Sequence, residues 1–275
     1  MKIKKYLKNL LKYMRAGGLV YAPVSFVKAN ERFVGKVVLV SGGSTGIGFE
    51  TARQFVAEGA KVIITARREE RLKEAAEKIL SDNLKYLVWD ISDVNCFDAK
   101  LQEAVSLFGG IDIFVNNAGV FKYDAWNQFD EKTYDSMLDT NTKGLFFMCQ
   151  AEGKYLVGAK KRGKILNVCS SFGVDARFDP YSVSKWGSVC ITKGLAKELV
   201  KHGIVVNGVA PGSVPTNITG DNVVDINENA FTPEHLTNRW VLTEEVASLL
   251  LFLASDSANS IIGQVIAVDG GYSLH

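Results

Sequence analysis

Tyr181 and Lys185 stand four residues apart in a stretch of helical periodicity, which places both side chains on one face of a helix. A free tyrosine has a pKa near ~10, too high for ready proton exchange at neutral pH. An ammonium one turn away favours the phenolate and lowers that value, so the pair can serve as a general acid/base toward an oxygen-bearing carbon. Taken alone, Tyr-x-x-x-Lys is better explained as the polar surface of a helix. Ser170 follows an apolar run, Ile165-Leu166-Asn167-Val168-Cys169. A hydroxyl at such a strand end can hydrogen-bond a substrate oxygen and stabilise charge that develops there. No histidine and aspartate accompany it, which argues against a hydrolytic nucleophile.

A second cluster of residue types suits phosphate. Ser41-Gly42-Gly43-Ser44-Thr45-Gly46-Ile47-Gly48 lies between an apolar run and a helical pattern. Glycines there allow a tight turn and close backbone approach to a pyrophosphate, and the helix N-terminus supplies oriented N–H groups. A purely structural turn is the plain alternative. After the second apolar run come Arg67 and Arg68, which can grip a phosphate by fork geometry or simply open a solvated helix.

These groups need elements to position them. The chain has 275 residues, 47% hydrophobic and 23% charged, with 25 Gly and 5 Pro, ordinary globular usage that excludes disordered, collagen-like and coiled-coil classes. No apolar run approaches the roughly 18 residues of a membrane span. The four cysteines form no CxxC pair and the three histidines are scattered, so a disulfide framework, a zinc site and a His-based metal site are not expected. Reduced cysteines suit a cytoplasmic protein. Apolar, β-branched runs at 36–41, 61–65, 84–89, 111–115, 164–169, 204–209 and 264–268 read as strands covered on both faces. They alternate with helical patterns at 69–80, 95–108, 132–159, 181–202 and 244–254. That rhythm predicts an α/β fold, a single doubly wound parallel seven-stranded sheet of Rossmann type over residues 31–275. Residues 213–242 break the rhythm with Asn, Asp, Thr and Pro, and read as a substrate lid beyond a strand's carboxyl end.

The glycine spacing is Gly42-x-x-x-Gly46-x-Gly48, and with Asn116-Asn117-Ala118-Gly119 after the fourth strand, Asn141, Ser170, Tyr181-x-x-x-Lys185, and Pro211-Gly212 with Thr216, the chain resembles the short-chain dehydrogenase/reductase family from about residue 33 to 272. Among its members the 3-oxoacyl reductases and sugar dehydrogenases are the ones resembled, and Asn238-Arg239-Trp240 is similar to sugar-acid members. The resemblance implies an NADP(H)- or NAD(H)-dependent oxidoreductase that interconverts a carbonyl and a secondary alcohol by direct hydride transfer. Tyr181 would exchange the proton, Ser170 hold the oxygen, Lys185 bind the ribose, and Asn141 hold a water of a proton relay. Ser170 is preferred to Ser171 because the family pattern has two residues and then glycine after the catalytic serine. Cofactor contacts are expected from Gly42, Ser44, Thr45, Gly46, Ile47 and Gly48, from Arg67, Arg68, Asp90 and Ile91, from Asn117, Ala118 and Gly119, and from Pro211, Gly212, Val214 and Thr216. Ala66 stands where the family's NAD-type aspartate falls, and together with Arg67 and Arg68 this favours NADP(H) over NAD(H); Thr45, where NADP-using relatives often carry a basic residue, points the other way. Asp90 matches the residue that meets the adenine amino group. A substrate pocket could draw on Phe121, Tyr123, Trp126, Phe172, Val174, Ile218, Phe231 and Trp240, with Asp175 and Arg177 reading polar groups. A homotetramer or homodimer joined through the 132–159 and 181–202 helices is also implied.

Residues 1–30 carry seven basic residues and no acid, leaving 25 basic and 30 acidic residues in the rest. An acidic body with a basic arm is not a nucleic-acid binder overall. Ile3, Leu7, Leu10, Leu11 and Met14 at helical spacing make the arm a basic amphipathic helix. Its apolar face could dock on the protein body or another subunit, or lie peripherally on an anionic membrane, where a lipid-linked substrate would be in reach. The rival from another class is a non-catalytic dinucleotide sensor or scaffold on the same fold.

Overall fold

The computed structural model describes residues 31–216 and 235–274. The arm (1–30), residues 217–234 of the segment expected to be a lid (with Ile218 and Phe231) and His275 lie outside the described residues. Seven strands, β1 (Val37–Ser41), β2 (Lys61–Ala66), β3 (Leu84–Val88), β4 (Ile113–Asn116), β5 (Lys164–Val168), β6 (Val205–Pro211) and β7 (Val265–Val268), form one sheet in the order β3-β2-β1-β4-β5-β6-β7. Every pairing is parallel. The order reverses beside β1 and β4, which makes the switch point where ligands bind in such sheets. Each strand ends within two residues of its sequence expectation.

The apolar runs become strands because both faces are covered. Side chains alternate across the sheet: Val38, Val40, Val62 and Ile64 enter one core with Phe55 and Leu250, whereas Leu39, Ile63 and Phe114 enter the other with Met148 and Leu156. The first core lies under α1 (Gly46–Ala57), α2 (Glu69–Ile79) and α7 (Thr243–Ala254); the second lies under α3 (Phe97–Phe108), α5 (Leu145–Gly158) and α6 (Pro180–Leu199). No described helix is long and apolar enough to cross a membrane.

One expected helix is divided. The 132–159 pattern becomes α4 (Glu131–Leu138), a π-helical turn at Asp139–Gly144, and α5. A Cβ on Gly144 would overlap the Ile91 carbonyl oxygen, so only glycine lets this wider turn sit against the end of the β3 loop. Asn141 lies inside it, and π turns often occur at functional positions because the extra residue re-aims side chains. The α6 start is set locally: Asp179 accepts a hydrogen bond from the Ser182 N–H at 2.7 Å, and Pro180, which has no N–H to lose, follows it.

Candidate active site

The carboxyl ends of β1, β2, β3 and β4 open into a cleft of about 370 Å³. The turn after β1 supplies one wall through Gly42, Ser44, Thr45, Gly46 and Ile47. Gly42 (φ 65°) and Gly46 (φ 57°) adopt left-handed backbone, which explains glycine at both. Gly48 does not line the cleft; it lies beneath, where a Cβ would overlap Gly42 O and Asn117 Nδ2. Gly48→Ala is therefore expected to cost about 1–3 kcal/mol of stability, read as a fall of several degrees in Tm by about the usual scaling; an unchanged Tm would show that the turn can yield.

Asn117 locks β4 to this turn. Its Nδ2 donates to Ser41 O and Gly42 O, both at 3.1 Å, while Ser41 Oγ accepts from the N–H groups of Asn117 (3.1 Å) and Ala118 (3.2 Å). Across the cleft stand Arg67 and Arg68 after β2, and Asp90 and Ile91 after β3. Asp90 Oδ1 already accepts from Ser92 N (2.9 Å) and Ser92 Oγ (2.8 Å), which fixes its orientation. Sequence reasoning missed Arg71, one helical turn beyond Arg68, which also lines the cleft; the i, i+3 spacing was the available signal. Among the described residues no carboxylate pairs with Arg67, Arg68 or Arg71, so three guanidinium groups are available to an anion.

The cleft runs into a recess of about 100 Å³ at the ends of β5 and β6, with Ile47, Asn117, Gly119, Val120, Phe121 and Thr216 common to both. Ser170, Tyr181 and Lys185 line this recess, as do Pro211, Gly212 and Val214. Ser170 caps a short 3-10 turn, Ser171–Gly173, and its Oγ accepts from Phe172 N at 3.2 Å, leaving the hydroxyl hydrogen available. Lys185 is buried; its Nζ donates to Val168 O at 3.0 Å and lies 5.6 Å from the Tyr181 ring centroid. Burial pushes the Cys169 thiol up, so an uncharged sulfur sits beside these groups.

Asn141 lies behind this wall and lines neither space. Its Oδ1 accepts from Val120 N (2.8 Å), and its Nδ2 donates to Val120 O (2.9 Å) and Ser184 Oγ (3.0 Å). The side-chain amide thus clamps the Val120 backbone beside Phe121. Its main-chain carbonyl accepts from Ser188 Oγ at 3.3 Å.

The pocket residues expected from sequence divide. Phe121 and Phe172 flank Tyr181 edge-on, with centroids at 4.8 and 6.2 Å. Tyr123 and Trp126, each 72% exposed in the loop after β4, and Val174, exposed after the 3-10 turn that follows β5, line neither space among the described residues. Trp240 is corrected as well: it is buried and lines neither space, since the described stem of the 213–242 segment folds back on the body, with Val241 N donating to Ser213 O at 3.0 Å. Arg177 stacks on Phe172, 4.2 Å from its centroid, and Asp175 Oδ2 accepts from Tyr272 Oη at 2.8 Å. Burial and that carboxylate push the Tyr272 phenol up, so it remains a hydrogen-bond donor.

A family profile described as enoyl-(acyl carrier protein) reductase matches residues 42–273. The chain is 34% identical over 243 residues to a 2-dehydro-3-deoxy-D-gluconate 5-dehydrogenase of Dickeya dadantii, covering 86% of this chain and 95% of that one. It is similar in structure to a short-chain type dehydrogenase/reductase from Mycobacterium marinum (TM-score 0.82, 30% identity, 90% of this chain and 98% of that one). It is also similar to a variant of actinorhodin polyketide ketoreductase solved with NADPH (TM-score 0.79, 30% identity, 87% and 98%).

Proposed function

The chain belongs to the short-chain dehydrogenase/reductase family, an oxidoreductase acting on CH–OH and C=O groups, and from that premise we propose that it reduces a ketone to a secondary alcohol, reversibly, with NADP(H), using Tyr181, Ser170, Lys185 and Asn141. The observation that carries this reading is the junction of the two spaces. Ser170, Tyr181 and Lys185 share one recess, which opens directly on a cleft edged by three arginines that no described carboxylate pairs.

The residues present suit a phosphorylated dinucleotide. A backbone turn with two left-handed glycines can meet a pyrophosphate. Arg67, Arg68 and Arg71 can hold a 2′-phosphate, and Ala66 offers no carboxylate to repel it. When bound, the reduced nicotinamide supplies the hydride to the carbonyl carbon. Tyr181 Oη gives its proton to the carbonyl oxygen and takes it back in the oxidative direction. Ser170 Oγ donates to the same oxygen. Lys185 has two ammonium hydrogens beyond the one given to Val168 O; these can reach ribose hydroxyls, while its charge stabilises the phenolate that forms. Because the Asn141 amide is fully engaged with Val120 and Ser184, its part in a proton relay falls to its main-chain carbonyl within the π turn.

Phe121, Phe172 and Tyr181 make the recess aromatic, with Arg177 at its edge. Consumption of NADPH with a panel of 3-oxoacyl thioesters, keto sugar acids and plain ketones tests the reading. Turnover of one class at a rate that depends on Tyr181 supports it; cofactor binding without turnover of any class favours the sensor.

The chain's exposed apolar surface supports a homo-oligomer. Phe146 and Phe147 on α5, and Val183 and Trp186 on α6, are all at least 39% exposed. Apolar side chains gathered on two adjacent helices mark an interaction surface. Phe146→Glu is expected to shift the sedimentation-velocity mass toward the monomer; an unchanged mass would assign the contact to another face.

A further inference from the structure

Beneath the sheet, remote from solvent, lies a carboxyl group that the proposed chemistry does not use. Glu152 on α5 is fully buried, and one of its oxygens, Oε2, accepts from Asn116 Nδ2 at 2.9 Å. Its other oxygen, Oε1, has no partner among the described residues, and neither has Asn116 Oδ1. Among the described residues only four buried side-chain polar atoms lack partners, and two of them sit on this one bonded pair. A buried polar atom left unpaired forfeits its hydration without replacing it, so two on adjoining groups call for a donor between them.

The surrounding hydrogen bonds fix the orientation of every amide. Thr192 Oγ1 on α6 donates to Ser188 O at 2.8 Å, so the same oxygen must accept from Asn167 Nδ2, 2.9 Å away. That turns Asn167 Oδ1 toward Asn116, which must present its Nδ2 at 3.0 Å. Asn116 Oδ1 therefore cannot be exchanged with its nitrogen and stands as an acceptor without a donor. An ionised Glu152 offers it only another acceptor.

We propose that Glu152 is carried as a neutral carboxylic acid whose Oε1–H donates to Asn116 Oδ1, closing a two-bond acid–amide ring that positions the end of β4 from which Asn117, Ala118 and Gly119 enter the cofactor cleft. Burial supports it, pushing the Glu152 carboxyl up to about 8 against the smaller opposing effect of the Asn116 hydrogen bond. No charged side chain among the described residues acts on it: β4 offers Asn116, β5 Asn167, α6 Thr192, and its own helix the Cys149 thiol, itself pushed well up by burial. Glu152 is a positioning residue, acting through Asn116 and touching neither recess nor cleft.

The test compares the full-length wild type with Glu152→Gln and Glu152→Leu. The side-chain amide introduced by E152Q can keep both bonds of the ring, donating to Asn116 Oδ1, without a titrating proton. At pH 7 the infrared difference spectrum between wild type and E152Q should show the carbonyl stretch of a protonated carboxyl, lost as the pH passes about 8. Unfolding gives a second reading. Below the unfolded carboxyl's value of 4.5 both states hold the proton; between there and about 8 only the folded state does; above that neither does. The unfolding equilibrium constant of wild type relative to E152Q should thus rise about tenfold per pH unit within that window and level off above it. For the positioning role, the Kd for NADPH should rise severalfold above pH 8 in wild type, stay flat in E152Q, and be raised at every pH in E152L. An absent carboxyl band at pH 7, a flat unfolding ratio, or an E152L that binds as wild type does would each overturn the proposal. The spectrum and the unfolding curves need no turnover, so they succeed or fail independently of the function proposed above.

Discussion

Tyr181→Phe is expected to lower kcat by about 10²- to 10⁴-fold, the usual contribution of a positioned acid/base, while cofactor affinity is unchanged. The substitution deletes one oxygen at the recess and keeps the ring that packs edge-on to Phe121 and Phe172. The loss should therefore fall on kcat with little change in KM, because the missing interaction is strongest when the proton is in flight. Steady-state kinetics beside a fluorescence titration of cofactor separates the two effects. Retained turnover would transfer the proton step to another group. A wild type that binds cofactor yet turns over nothing, with Tyr181→Phe equally silent, would instead make the protein a sensor built on a catalytic fold.

The second large effect concerns which cofactor is read. Replacing Arg67 and Arg68 together by Ala should weaken NADPH binding by about 10²-fold or more, since hydrogen bonds to charged groups contribute roughly 1.5–3 kcal/mol each, and should leave NADH binding nearly unchanged. Both arginines are exposed, so screening trims the effect as salt is raised. Arg71→Ala should produce a smaller change of the same sign, because Arg71 approaches the same cleft from one helical turn further along α2. Separate titrations of NADPH and NADH, quenching the protein's tryptophan fluorescence, give the answer directly. Equal losses for both cofactors would show that the arginines hold the common pyrophosphate. A wild type that prefers NADH would overturn the phosphate assignment and leave the recess untouched.

The sequence alone determined the sheet, its strand order class and the side at which ligands bind. Strands such as Val37–Ser41 are short apolar runs whose residues are buried on both faces, and that pattern is local. The Tyr181–Lys185 spacing was legible for the same reason: four residues along a helix is a distance set by the backbone itself. The glycine turn was equally plain, because positive φ at Gly42 and Gly46 is a property of single residues.

Tertiary structure decided what depends on two distant segments meeting. The 132–159 helix carries no local mark of a π turn, and the reason for glycine at 144 lies in a loop more than fifty positions earlier, where Ile91 O leaves no room for a Cβ. Trp240 and Trp126 are both large aromatics near polar loops, yet one is buried and the other is 72% exposed, since burial depends on which element covers a residue and not on its type. Arg71 becomes a cleft residue only because α2 leaves β2 beside the end of β3. Glu152 is the clearest case: along the helix it reads as an ordinary acid, and only the closing of α5 over β4 and β5 removes it from water and sets it against Asn116. Local geometry is written in neighbouring residues; desolvation is written by everything that packs on top of them.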